Sequence, residues 1–82
     1  MDALAITIDL LASNLQLGAR AAQLKPDTPL MGAFPEFNSL SVVGIVSGIE
    51  EALGCEVPDT EISEEIFLTV GSLAAFIERK MG

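Results

Sequence analysis

Histidine is absent from this sequence, cysteine occurs once, and only four of the 82 residues are basic. With Cys55 as the sole sulfhydryl and no imidazole, the chain builds neither an internal disulfide nor a tetrahedral zinc site. No nucleophile is paired with a base and no metal-ligating cluster is in view, so an enzyme has almost nothing to stand on; the catalytic and metal sets are empty. The aromatic residues are four phenylalanines, which leaves the core to Leu, Ile, Val and Ala and suits closely packed helices. No apolar run approaches the ~20 residues that span a bilayer. The opening "MDALAITIDLLA" is apolar, but Asp2 and Asp9 interrupt it and no Lys or Arg precedes it, which argues against a signal peptide. These absences lead to the expectation of a cytoplasmic protein without a membrane span.

Half of the residues are hydrophobic, and 82 residues give room for one domain, 1–82, with one core. Net charge is -8, from 12 acids against Arg20, Lys25, Arg79 and Lys80. Between Pro26 and Glu78 there is no base at all. A field of that sign repels nucleic acid and anionic membranes and attracts basic patches on protein partners; it also serves plain solubility.

Hydrophobic spacing then divides the chain. Leu4, Ile8, Leu11 and Leu15 recur at helical steps, so a first helix is expected from about Ala3 to Gln16, with Gly18 as its stop. "KPDTPLMGAFPEF" reads as a long ordered loop pinned by Leu30, Met31, Phe34 and Phe37. Periodicity returns from Ser39 to Leu53, where Leu40, Val43, Val46, Ile49 and Leu53 form a stripe and Val42 and Ile45 widen it; Gly54 is the expected cap. "EVPDTEISEEIF" follows as a short third piece with Ile62, Ile66 and Phe67 toward the core and Thr60 or Ser63 as cap. Val70, Leu73, Ala74 and Ile77 make a last helix, with Arg79 and Lys80 opposing the dipole of its end. The expected fold is all-α, an irregular four-helix bundle of three longer helices and a short one, with a long loop between the first two.

In "PEFNSL" a serine opens the second helix. Asn38 is a good N-cap, which leaves the Ser39 hydroxyl available, and the amides and dipole at the helix end would stabilise an anion attached to it. A phosphodiester on Ser39 suits the position, as does a simple capping role for the same residue.

The stretch "FNSLSVVGIVSGIEEALGCEVPDTEISEEIFLTVGSLAAFIERK" resembles the acyl carrier protein family. The pattern is Asp-Ser-Leu opening helix two, an acidic pair late in that helix, a hydrophobic-Pro-Asp turn, and "T-V-G-x-L" opening the last helix. The likeness runs from about Asp27 to Lys80. The chain is also similar to specialised carriers associated with exosortase and exopolysaccharide gene clusters. The resemblance implies a carrier rather than an enzyme, with Ser39, flanked by Asn38 and Leu40, bearing a 4'-phosphopantetheine arm taken from coenzyme A. The arm would hold an acyl or aminoacyl cargo as a thioester, as in fatty acid or polyketide-type biosynthesis. Implied partners are a phosphopantetheinyl transferase and acyl-activating ligases, synthases or transferases with basic docking patches, met by a monomeric carrier. The alternative is an unmodified acidic helical interaction module of the same fold.

Two departures from the family pattern bear on function. Asn38 stands where the family has Asp, which keeps the cap and removes a charge. Along helix two, Ser41, Gly44, Ser47 and Gly48 replace an acidic side, and acid remains only at Glu50 and Glu51. Partner docking should therefore be less electrostatic. Ser41, Gly44 and Gly48 form a smooth side that serves either a partner or close packing inside the bundle, and Glu50, Glu51, Glu61, Glu64 and Glu65 offer charge to basic surfaces. Cys55, by a helix end and beside Glu56, is expected to be an ordinary thiol.

Overall fold

The computed structural model of the chain describes residues 2–30 and 39–81. Three α-helices carry the architecture: α1 (Ala3–Leu15), α2 (Ser39–Leu53) and α3 (Val70–Met81). A short 3-10 helix, Glu64–Phe67, packs on α3 as the fourth member of the bundle. The all-α irregular four-helix bundle is thus the observed fold. Met31, Phe34, Phe37 and the Asn38 cap lie outside the described residues.

α1 begins because the Asp2 carboxylate accepts from the Leu4 amide, which satisfies one of the unpaired donors of the first turn. It ends one turn earlier than Gly18. Gln16 takes the left-handed conformation at φ 53°, and both its own N–H and that of Leu17 reach the Ala12 carbonyl. Turning there puts Leu17 into the core. Gly18, also at positive φ, instead opens a 3-10 helix, Gly18–Gln23, which gives the long loop its own first element.

The rest of that loop is fastened to the head of α3. Leu30 donates to the Leu68 carbonyl at 2.9 Å, Val70 donates to Thr28 at 2.9 Å, and Gly71 donates to Pro26 at 2.7 Å. Pro29 and Thr69 make an isolated antiparallel bridge. The result sinks Leu30 completely, so it is the pin the sequence suggested. The head of α3 is itself closed by a reciprocal pair: Thr69 N–H donates to Ser72 Oγ, and Ser72 N–H donates to Thr69 Oγ1, each at 3.0 Å. Ser72 Oγ donates in turn to the Ile66 carbonyl at 2.7 Å, which ties the short helix to α3.

The third piece is not one α-helical segment. It divides into two 3-10 helices, Asp59–Glu61 and Glu64–Phe67, and Ser63 precedes the second without a side-chain cap bond. Ile66 and Phe67 are buried and Ile62 is partly so, as their spacing required. Lys80, near the end of α3, reaches back to the first of these turns and pairs with Glu61 at 2.6 Å.

The core is mostly aliphatic, with Phe67 and Phe76 buried in it. Leu11, Leu30, Ile45, Ile49, Val70, Leu73 and Ile77 are fully buried, each contributing on the order of 1.5–3 kcal/mol. One expectation for α2 is corrected here. Leu40 and Val43 do not face the core; they are 81% and 63% exposed. A series stepping by three falls back about 60° per step on a helix of 3.6 residues per turn, so Leu40, Val43, Val46 and Ile49 cannot share one face. The buried face is centred on Ile45 and Ile49.

The sequence leaves Ser41, Gly44 and Gly48 open between a partner face and packing inside the bundle, and the two glycines pack on α1. Ser41 is buried. A Cβ on Gly44 would overlap Asn14 Oδ1 of α1, whose amide is held by donating to the Leu10 carbonyl at 2.8 Å. A Cβ on Gly48 would stand 2.5 Å from Leu10 Cδ2. The glycines let α1 and α2 approach closely.

At Gly71 the obstacle is backbone rather than the end of a side chain, because a Cβ there would lie 2.7 Å from the Pro26 carbonyl oxygen. Alanine normally favours a helix by up to about 1 kcal/mol over glycine. Here Gly71→Ala is expected to destabilise the fold by about 1–3 kcal/mol, since the loop must lift off α3 to admit the methyl group. Urea denaturation followed by circular dichroism measures it; an unchanged or higher midpoint contradicts the packing described.

Candidate functional site

Ser39 is the first residue of α2, a helix of 15 residues with no acidic side chain in its first turn. The amide-rich end of a helix that long carries a partial positive charge and favours an attached anion. No carboxylate of that turn opposes one. The residues here fit a phosphodiester in charge and in position.

Beyond Ser39 the outward face of α2 is Leu40, Val43, Ser47 and Glu51, all exposed. Neighbouring apolar side chains left in water at one helix end are a recognised mark of contact surfaces. Leu40, expected beside the site, is there.

The five carboxylates expected to meet partners do not act alike. Glu50 Oε2 accepts from the Val57 amide at 2.8 Å while its backbone carbonyl accepts from Gly54 at 2.8 Å. This one residue therefore closes the end of α2 and holds the turn that follows, assisted by Gly54 at φ +67°. Glu61 is engaged by Lys80. Glu50 and Glu61 thus each make a bond within the fold. Glu51, Glu64 and Glu65 are exposed.

What sequence reasoning missed is the work of side chains whose signal is not periodic. Asn14 and Leu10, partners of the α2 glycines, looked like ordinary α1 residues. Only the pairing of a four-residue glycine spacing with a small or bendable side chain on another helix would have found them. Arg79 stacks over the Phe76 ring at 5.7 Å, an arrangement consistent with its place beside that phenylalanine in the last helix. Cys55 is a free, half-buried thiol. No helix among the described residues is long and apolar enough to cross a membrane.

Glu50→Ala is expected to lower stability by about 1 kcal/mol, because the Val57 amide loses its partner, whereas Glu51→Ala should stay within about 0.5 kcal/mol of the parent. Thermal unfolding of the two variants side by side checks the distinction, and equal effects would refute it.

Comparison with known proteins agrees with this architecture. The family model described as a phosphopantetheine attachment site matches residues 7–77. The match therefore reaches back through α1, well beyond the part of the chain whose motifs carried the likeness. Among solved structures, the chain is similar to a holo acyl carrier protein from Nitrosomonas europaea, determined by solution NMR. The two are 38% identical with a TM-score of 0.88, over 99% of this chain and 98% of that one. Members of this family serve phosphopantetheinyl transferases and biosynthetic enzymes as carriers without catalysing the chemistry themselves. The chain belongs to the phosphopantetheine-attachment family: it is a carrier protein with the acyl carrier fold, and its prosthetic group is 4'-phosphopantetheine.

Proposed function

We propose that Ser39 bears the arm. The observation that carries this reading is its place: a serine at the first position of the long helix α2, free of first-turn carboxylates, inside the span matched by the attachment-site family. In the reaction, the Ser39 hydroxyl oxygen forms a bond to the pantetheine-side phosphorus of coenzyme A. The pyrophosphate bridge breaks, adenosine bisphosphate leaves, and the hydroxyl proton passes to a base of the transferase. Once bound, the arm supplies the thiol that holds the cargo as a thioester.

The chain's own contribution is positional. The helix end stabilises the phosphodiester charge, while the fastened loop and the buried face of α2 fix where the arm leaves the protein. The cargo comes from a partner that activates a carboxylic acid and is taken by one that transfers or condenses it. Cytoplasmic enzymes of these classes, an acyl-activating ligase or a synthase among them, are the partners proposed.

Co-expression with a broad-range phosphopantetheinyl transferase should add one phosphopantetheine unit to the intact mass of the chain and none to Ser39→Ala. If no transferase adds the unit, or if Ser39→Ala still gains it, the assignment fails. In the first case the unmodified interaction module takes its place.

A further inference from the structure

Resting on the assignment of the arm to Ser39, we propose that the transferase installing it grips this carrier by an apolar contact with Leu40 and Val43. A single basic residue of the transferase would face Glu51, in place of a basic patch spread along α2.

The geometry leaves little choice of contact. An enzyme that reacts at Ser39 must lie over the adjoining turn of α2, where Leu40 is 81% and Val43 63% exposed. Leu40, Val43, Ser47 and Glu51 lie within about 80° of arc on a helix of 3.6 residues per turn, a stripe about 16 Å long. Its first two turns carry no charge. Glu50, the other acid of this helix, spends its carboxylate on the Val57 amide. Gly44 and Gly48 are turned to α1, and Ser41 is buried. Glu64 and Glu65 belong to a different element, the 3-10 helix packed on α3. The complement of this stripe is an apolar notch beside the reacting serine, with one cation about 16 Å farther along the helix.

Salt separates this arrangement from the electrostatic alternative. Exposed ion pairs are screened over ~8–10 Å at ordinary ionic strength, whereas apolar contact is indifferent to salt or strengthened by it. The experiment follows arm transfer from coenzyme A to the apo chain by a broad-range transferase and reads kcat/KM from about 50 to about 500 mM NaCl. We expect less than about a threefold change across that range. Leu40→Ser and Val43→Ser should each lower kcat/KM about tenfold or more at unchanged Tm, and Glu51→Gln about twofold.

A steep fall with salt, or Leu40→Ser and Val43→Ser variants as good as the parent, overturns the inference while the arm still appears on Ser39. Failure of any transferase to add the arm overturns the inference together with the assignment it rests on.

Discussion

The rotation of α2 about its own axis is the constraint on which the functional surface depends. Two fully buried isoleucines, Ile45 and Ile49, point it into the core, and Gly44 and Gly48 press it against Asn14 and Leu10 of α1. A helix held on both counts has one orientation left. Leu40, Val43, Ser47 and Glu51 then face water, on the side of the helix away from Ile45 and Ile49. Glycine costs a helix up to about 1 kcal/mol against alanine. In return the two helices come close enough for their small surfaces to pack, and the outward face is fixed without any contribution from charge.

A second set of contacts holds the opposite side. The Pro26, Thr28 and Leu30 backbone meets that of Leu68, Val70 and Gly71, so the loop that leaves α1 is built into the head of α3. Ser72 joins the same junction to the short helix through Ile66. The first of the two later 3-10 segments is joined to α3 by the Lys80–Glu61 pair, which at the surface is worth at most about 1 kcal/mol. The fully buried aliphatic side chains lie on α1, α2 and α3, with Leu30 added from the loop.

Much of this was legible in the sequence. The aliphatic composition and the spacing within 39–53 and 70–81 gave the helices, because each contains a run long enough to distinguish helical from extended periodicity. Leu30 as a loop pin and Ile66 with Phe67 as core residues followed from their surroundings. The direction of α2 did not, since seven apolar residues distributed around most of a helix define more than one plausible stripe, and only the partner helix selects between them. The extent of α1 was legible to within a residue, but its stop was assigned to Gly18 because glycine is the usual left-handed residue, while the burial of Leu17 required the turn to come at Gln16. Carboxylates are the least legible class: Glu50 and Glu51 are identical in sequence terms and opposite in use, one bonded to a backbone amide seven residues on, the other exposed.

Charge illustrates the same lesson at the level of function. A net charge of -8 suggests docking by electrostatic attraction, and two of the five acids expected to dock also make bonds within the fold. The family gives the chain its prosthetic group and its role as a carrier. On the proposal that Ser39 bears the arm, that role is presented at a helix end, with apolar side chains beside the serine rather than carboxylates. The most direct test of this account is phosphorus–proton correlation NMR on the arm-bearing chain. The account predicts one phosphodiester resonance, correlated with the Cβ protons of Ser39. Correlation with any other serine, or the absence of a phosphodiester resonance, would contradict it.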